Sequence, residues 1–421
     1  MKNFLKKIIS SILIWESKMV LKKYKPSIIA VTGSVGKTST KDAIFTVLSS
    51  TGYVRRSDKS FNSEIGVPLT ILGCQNGWND PFLWMRNILE GLELIFFKSD
   101  YPSTLVLEVG ADHPGDIESV SKWLQADAIV ITKIGDVPVH VEFFPSIDDL
   151  VKEKSYLIKA LKKDGTLILL ADDPKVSAMA AGVAQKVMTF GMISLATVTA
   201  SDSSITYDGQ SLPDGMSFKL NLQGNSVPIK LKGILGSQQV YPLIAGAAVG
   251  LARNMSVSRI VDSFEHHVAP RGRMNILKGL NGSVIIDDTY NSSPIALQEG
   301  LTVLASLQVS GKRIAVLGDM MELGSFSPDE HRKAGIQAMQ SCDVLVTVGP
   351  RAKQMSDKAV SFDSSEDAAE YLKGIVGTGD IIFIKGSQSV RMERISAVLL
   401  VDPSKAGELL VRQEEEWLSK K

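Results

Sequence analysis

Cysteine is scarce in this chain of 421 residues: Cys74 and Cys342 are the only two. Two cysteines exclude a zinc ribbon and a disulfide framework, and they suit a reducing cytoplasm, the expected location. An excess charge of either sign is missing as well, since 46 Lys+Arg balance 46 Asp+Glu. A neutral chain casts no global field toward nucleic acid, so no nucleic-acid partner is expected. Long apolar runs are also lacking. Near the N-terminus the longest uncharged run, Ile8 to Trp15, falls far short of the ~20 residues that span a bilayer. No small-residue cleavage site follows it, which argues against a signal peptide. No internal repeat or low-complexity tract interrupts the chain.

The sequence is otherwise of ordinary globular composition, 44% hydrophobic and 22% charged, and long enough for two or three domains. Residues 1–26 form a basic amphipathic segment. Lys2, Lys6, Lys7, Lys18, Lys22, Lys23 and Lys25 stand against Glu16 alone, with Phe4, Leu5, Ile8, Ile9, Ile12, Trp15 and Met19 at helical spacing. We expect a helix docked by its apolar stripe on the enzyme or on a second subunit. The alternative lays residues 1–25 on an anionic membrane surface as a peripheral contact.

From residue 27 the pattern alternates strand and helix. Strands are expected at Ile28–Thr32, Thr104–Val109, Ala128–Thr132 and Thr166–Leu170, with helical stretches such as Pro114–Leu124 and Ile147–Leu161 between them. This predicts an α/β domain over 27–268 built on a mostly parallel sheet. Residues 188–232 read as short strands and turns, a small antiparallel β addition to that domain. The run Ala269-Pro270-Arg271-Gly272-Arg273 reads as a hinge. Beyond it, Ser283–Asp287, Arg313–Leu317, Val344–Val348 and Ile381–Ile384 alternate with helices, giving a second, Rossmann-like α/β domain over 269–421.

Chemistry concentrates first at Gly33-Ser34-Val35-Gly36-Lys37-Thr38, directly after the apolar strand and before an amphipathic stretch. A strand, a glycine turn and a helix in that order form a phosphate cradle, in which backbone amides and Lys37 meet the phosphates and Thr38 meets Mg²⁺. A nucleoside triphosphate is therefore expected as a substrate. Two further polar positions fall at or just beyond strand ends, where open α/β sheets bind ligands: Glu108 and His140. Alone, each could be a cap or a structural side chain. Beside a phosphate loop, both become candidate Mg²⁺ ligands.

Six strings carry a resemblance that spans residues 29 to about 394. They are Thr32 to Ser39, Phe61 to Pro68, Glu108 to Gly115, Asp287 to Pro294, Leu317 to Gly324, and Lys385-Gly386-Ser387. In this order they resemble the Mur ligases, ATP-dependent amide-forming enzymes of cell-wall assembly, and most nearly the branch that adds D-alanyl-D-alanine to a UDP-muramoyl tripeptide. The resemblance implies that ATP phosphorylates a carboxylate and that an amine then attacks the acyl phosphate. Gly33, Gly36, Lys37, Thr38 and Ser39 would hold the phosphates. Thr38 and Glu108 would share one Mg²⁺, and His140 would bind a second. Lys37, Glu108, His140 and Lys154 would be catalytic, Lys154 as the lysine that many members carbamoylate, with Lys152 two residues away as a competing register. Arg273, Asp288, Tyr290 and Asn291 would close over the nucleotide. Asn62, Ser63, Pro68 and Lys385 would face the peptide and amino-acid substrates.

Two departures stand out. Where the family has a Gly-x-His-Asn-x-x-Asn helix start linked to adenine, this chain reads Gly236-Ser237-Gln238-Gln239-Val240-Tyr241-Pro242. Gln239 keeps an amide there and Tyr241 is a substitute candidate. The family's UDP-gripping domain is not evident, since only about 26 residues precede the first strand, too few for such a unit. The first expectation is thus a ligase adding D-Ala-D-Ala or a similar amine to a muramoyl-peptide precursor. The alternatives are the same chemistry on a polyglutamate, another wall peptide or a lipid-linked carboxylate, and a partner-dependent noncatalytic relative.

Overall fold

The computed structural model of the chain describes residues 2–57, 64–78, 80–138, 140–193 and 195–419, with side chains from residue 7 onward. Two sheets organise it. The first contains β1 (Ser27–Thr32), β2 (Val54–Arg56), β3 (Thr104–Glu108), β4 (Ala126–Ile131), β5 (Leu161–Leu170), β6 (Lys186–Gly191), β7 (Val198–Tyr207), β8 (Pro213–Leu222) and β9 (Asn225–Lys232) in the order β2-β3-β1-β4-β5-β6-β7-β8-β9. The second contains β10 (Asn275–Lys278), β11 (Val284–Asp288), β12 (Arg313–Gly318), β13 (Val344–Val348), β14 (Val360–Phe362) and β15 (Ile381–Lys385) in the order β10-β11-β15-β12-β13-β14. Central strands such as β1, β3 and β15 are apolar and buried almost throughout, as parallel strands covered on both faces must be.

The strands expected from sequence are present, with ends shifted by a residue or two except at β5, which begins five residues early at Leu161. The antiparallel β addition expected over residues 188–232 is present and joins the first sheet edge to edge: β6 pairs parallel with β5 and with β7, and β7-β8-β9 continue the same sheet antiparallel. Alternating burial along β8 and β9 disguises that continuity, because only one face of this extension meets the core. The extension also reaches the second domain. Ile205 and Leu212 pack on that domain's core, the Tyr207 hydroxyl accepts from the Gln308 amide at 3.0 Å, and Ile234 bridges to Asn275.

Helices cover the first sheet: α1 (Lys2–Tyr24), α2 (Lys37–Ser49), α3 (Gly66–Leu72), α4 (Pro81–Phe96), α5 (Asp116–Ser121), α6 (Ile147–Ser155), α7 (Pro174–Ser177), α8 (Val240–Ala252) and α9 (Val257–Ser263). Chain breaks and caps explain their ends. Asp80 accepts from the amides of Phe82 and Leu83 ahead of Pro81, and Ser146 caps α6. In the second domain α10 (Pro294–Ser306) starts on a Ser293 cap, and α11 (Ser327–Ser341) follows β12. The basic N-terminal segment is a helix, and it docks on α3 and α4. Lys23 closes the far end of α4 by donating to the carbonyls of Leu94, Ile95 and Phe97.

The α1 interface is unusual in what it buries. Leu13 and Val20 are inside, but so are Ser10, Glu16 and Ser17, whose side-chain oxygens have no hydrogen-bond partner. Burial pushes the Glu16 carboxyl up to about 7. An acid whose folded pKa exceeds its unfolded value of 4.5 loses stability as pH rises between the two, because the unfolded chain releases the proton that the fold retains. We therefore expect Glu16→Gln to unfold at about the same urea concentration as the parent near pH 4.5, and at an increasingly higher one as pH approaches 7. Parallel urea midpoints across that range would contradict the buried proton.

Candidate functional site

The site forms where the carboxyl ends of the two sheets face each other. In the first domain β1 delivers the phosphate loop between β3 and β4. Gly33 has φ +143°, and a Cβ there would stand 2.0 Å from Thr132 Oγ1, so no larger residue fits. Gly36 has φ +84° and is the N-cap of α2, whose N-terminus no side chain caps. The amides of that first turn have no partner within the helix and are available to an anion. Val35 stands in the loop and pairs its amide with the Lys133 carbonyl at 3.0 Å.

Lys37 opens α2, its Nζ 3.4 Å from the Ser34 carbonyl. Burial lowers its pKa, Glu108 and Asp112 oppose the shift, and Arg273 reinforces it. Thr38 is half-buried beside it, and Ser39 is buried. Glu108 ends β3 directly beside Val31 of β1. It is 1% exposed, and its Oε2 accepts no hydrogen bond, with Lys41 Nζ 4.0 Å away. Thr38 and Glu108 together thus offer the hard oxygen donors that Mg²⁺ takes, leaving its remaining positions to phosphate oxygens and water.

Of the two lysines of α6, Lys154 is the one turned to the phosphate loop. It is 2% exposed and donates to the Gly33 carbonyl at 2.9 Å, whereas Lys152 is exposed. Burial, reinforced by the neighbouring Lys37 cation, holds its pKa well below the ordinary lysine value. The preceding residue explains the placement: Glu153 accepts from the amides of Gly115, Ile117 and Glu118, fastening α6 to the start of α5.

His140 has φ +70° and stands 2.9 Å from Glu322 Oε2 through Nδ1 and 3.7 Å from Asp112 Oδ1 through Nε2. The Glu322 contact is short but poorly aligned for a hydrogen bond. It nonetheless holds the Glu322 carboxyl below its usual range. His140 and Glu108 join no cluster of three or more potential metal-ligating His, Cys, Asp or Glu side chains among the described residues. The structure makes His140 an interdomain contact.

The second domain brings the remaining residues. Asp288 and Lys385 are register partners on β11 and β15, and their side chains pair at 2.6 Å while nearly fully buried. Lys385 also donates to the Asn291 carbonyl. Its pKa is lowered by burial against the pull of Asp288, with Arg273 adding to the lowering. Arg273 lies 4.2 Å over the Tyr290 ring. Lys37, Arg273 and Lys385 therefore sense one another across the domain boundary. Gln239 spends its amide on the Arg273 carbonyl at 2.8 Å, and the Tyr241 hydroxyl donates to Asp172 at 2.7 Å. Pro68 is buried in the first turn of α3. Asn62 and Ser63 lie outside the described residues.

The two domains meet directly: Lys133 pairs with Glu299 at 2.7 Å, His140 meets Glu322, and Gly324 lies against Glu142. Opposite charges on facing edges supply the attraction that the hinge sequence could not reveal.

Sequence reasoning missed three functional positions. Lys41, one turn after Lys37, is 2% exposed, donates to the Ser57 carbonyl at 2.7 Å and lies 4.0 Å from Glu108. A lysine on the inward side of α2 was the available signal. Glu322 is within a quoted string but had no role assigned. Arg412 donates to the carbonyls of Thr289 and Tyr290 and pairs with Glu393 at 3.0 Å, holding the loop after β11 from the far C-terminus.

Residues 85–250 match the model of the Mur ligase middle domain, and residues 272–388 match that of the Mur ligase glutamate ligase domain. The chain is 30% identical to the UDP-N-acetylmuramoyl-tripeptide–D-alanyl-D-alanine ligase of Mycobacterium leprae, over 89% of this chain and 74% of that one. It is 28% identical to the Bacillus subtilis enzyme of the same name, over 92% and 79%. Its fold is similar to the MurF ligase of Thermotoga maritima, solved in complex with ADP, with TM-score 0.77 and 26% identity over 95% of this chain and 84% of that one.

Removing Lys41 while leaving Glu108 would strand a buried carboxylate. We expect Lys41→Met to destabilise the protein by about 3 kcal/mol and the double variant with Glu108→Gln to recover part of that loss, as measured by chemical denaturation. Equal stability of the single variant and the parent would show that the 4.0 Å pair is idle.

Proposed function

The chain belongs to the Mur ligase family and is an ATP-dependent carbon–nitrogen ligase, and from that premise we propose that it joins D-alanyl-D-alanine, or an amine of the same kind, to the free carboxylate of a muramoyl-peptide cell-wall precursor in the cytoplasm. The observation that carries this reading is a succession of neighbouring cations, Lys154 beside Lys37, Lys37 facing Arg273 and Arg273 facing Lys385, that leads from the phosphate loop to the second domain. A carboxylate and a triphosphate repel each other, and such a cationic cleft cancels that repulsion while fixing the two in line.

In this mechanism the substrate carboxylate attacks the γ-phosphorus, forming an acyl phosphate and releasing ADP. The amine then attacks the acyl carbon, the amide bond forms, and phosphate leaves. Lys37 and the first amides of α2 bear the charge that develops on the transferred group. When bound at Thr38 and Glu108, Mg²⁺ supplies Lewis-acid neutralisation of the phosphate oxygens. Lys154, held toward its neutral form, takes up CO₂ as a carbamate and so turns a cation into an anion beside the loop. Arg273, supported by Tyr290, and the Asp288–Lys385 pair close the site from the second domain and exclude the water that would hydrolyse the acyl phosphate. Pro68, in the first turn of α3, flanks the peptide.

The decisive assay is phosphate release from purified protein with Mg²⁺-ATP, run on UDP-linked and unlinked muramoyl tripeptides with and without D-Ala-D-Ala. Release should need both the tripeptide and the amine. Release with a polyglutamate, or with no amine at all, would refute the substrate assignment.

Three variants test the roles. Lys37→Ala should lower turnover about a thousandfold with the fold intact. For Glu108→Gln the rate should fall on the order of a hundredfold while nucleotide affinity changes little, because a metal on developing charge acts in the transition state. Removing dissolved CO₂ should slow the parent reversibly, and Lys154→Ala should be slow whether or not bicarbonate is returned. A parent indifferent to CO₂ would exclude the carbamate.

A further inference from the structure

Exposed apolar side chains gather on one face of the N-terminal helix pair. On α1, Ile8, Trp15 and Met19 are exposed, and on α4 so are Phe82, Met85, Leu89 and Phe96. Phe82 is 86% exposed and Phe96 72%, which no single surface hydrophobe requires. The two helices run side by side in one direction: Glu16 meets Gly91, and Tyr24 reaches the carbonyls of Leu94 and Phe97. At ~100° per residue, the α1 stripe lies about 80° from the Glu16 direction, and the α4 stripe lies about 150° from the Gly91 direction in the opposite sense. For parallel neighbours, those rotations turn both stripes to the same outer side, away from the core that Leu13 and Val20 enter.

The charges along this face are net positive. Lys7, Lys18 and Lys22 are exposed along the flank of α1 beside its apolar stripe, while α4 adds Arg86 and the carboxylates of Glu90 and Glu93. The one acidic residue of α1, Glu16, is buried. Inward, α1 carries Leu13 and Val20 but also Ser10, Glu16 and Ser17; outward, it carries Trp15 and Met19. A helix serving only its own domain would turn Trp15 in and Glu16 out.

We propose that this two-helix face docks on the surface of an anionic lipid bilayer, with the aromatic and aliphatic stripe at the acyl boundary and the lysine flank among the headgroups. No described helix is long and apolar enough to cross a membrane, so the attachment is interfacial. A second copy of the chain fits less well, since the exposed lysines of α1 outnumber the carboxylates, Glu90 and Glu93, that α4 of that copy would bring to them. Docking also sets α3, on which α1 rests and which carries Pro68, close to the bilayer. The inference stands apart from the ligase reading, because it uses none of the residues of the cleft.

The test is sedimentation of the full chain with vesicles of phosphatidylcholine alone and of phosphatidylcholine mixed with phosphatidylglycerol, at low and high salt. Binding to the mixed vesicles should be about tenfold tighter or more than to phosphatidylcholine alone, and salt should weaken it. Trp15→Ser with Phe96→Ser should cut binding about tenfold or more to either vesicle. Lys18→Glu with Lys22→Glu, at positions too exposed to unsettle the fold, should lower anionic binding about thirtyfold and leave binding to phosphatidylcholine unchanged. Phosphate release in solution should stay at the parent rate in both variants. A parent chain that remains in the supernatant with anionic vesicles overturns the proposal. So does a parent that is dimeric in solution and becomes monomeric in the Trp15→Ser, Phe96→Ser variant, which would assign the face to a second copy.

Discussion

Like charges brought together inside a protein repel, and the cleft concentrates that repulsion. Lys37, Lys154, Arg273 and Lys385 are drawn to one place by elements that arrive from both domains. Each buried cation needs an acceptor. Lys154 uses the Gly33 carbonyl, Lys385 uses Asp288 and the Asn291 carbonyl, and Lys41 behind them uses the Ser57 carbonyl. The arrangement tolerates the remaining imbalance because the bound anions of the reaction complete it. Stability and chemistry are therefore linked through the same charged groups.

The supporting structure follows from holding those groups. Gly33 has no Cβ because Thr132 occupies its space, and Glu153 anchors α5 so that the next residue, Lys154, points at the loop. Arg412, from the far C-terminus, grips the backbone between Thr289 and Tyr290, and Arg391 shares its Glu393 partner. Removing a charge from this network would leave its partner buried and unpaired, so the costs of substitution are expected to be non-additive.

Features that depend on adjacent residues were legible in the sequence. The buried strands, the phosphate loop and the carboxylate at the end of β3 each combine a local period with a local chemical signature. The N-terminal helix was legible too, and its docking on α3 and α4 agrees with the reading of a docked helix. What proved illegible depends on distant partners. Lys41 looks like any helical lysine until Ser57 and Glu108 surround it, and Glu322 acquires meaning only when His140 arrives from 182 residues earlier. The extension after β6 was legible as antiparallel strands, but its alternation, caused by one-sided burial, does not reveal which edge it joins. Lys152 and Lys154 differ by two positions on a helix and so by roughly half a turn, which no composition argument separates.

The strand extension from β7 to β9 has one more consequence. Ile205 and Leu212 lodge in the core of the second domain, Tyr207 receives the Gln308 amide, and the bridge between Ile234 and Asn275 is reinforced by the Leu235 amide on the Met274 carbonyl. The halves of the molecule are therefore joined by surface complementarity as well as by the peptide segment at residues 268–272. A chain severed there would behave as a split protein whose fragments recognise each other, and any swing of one domain would pivot on this seam.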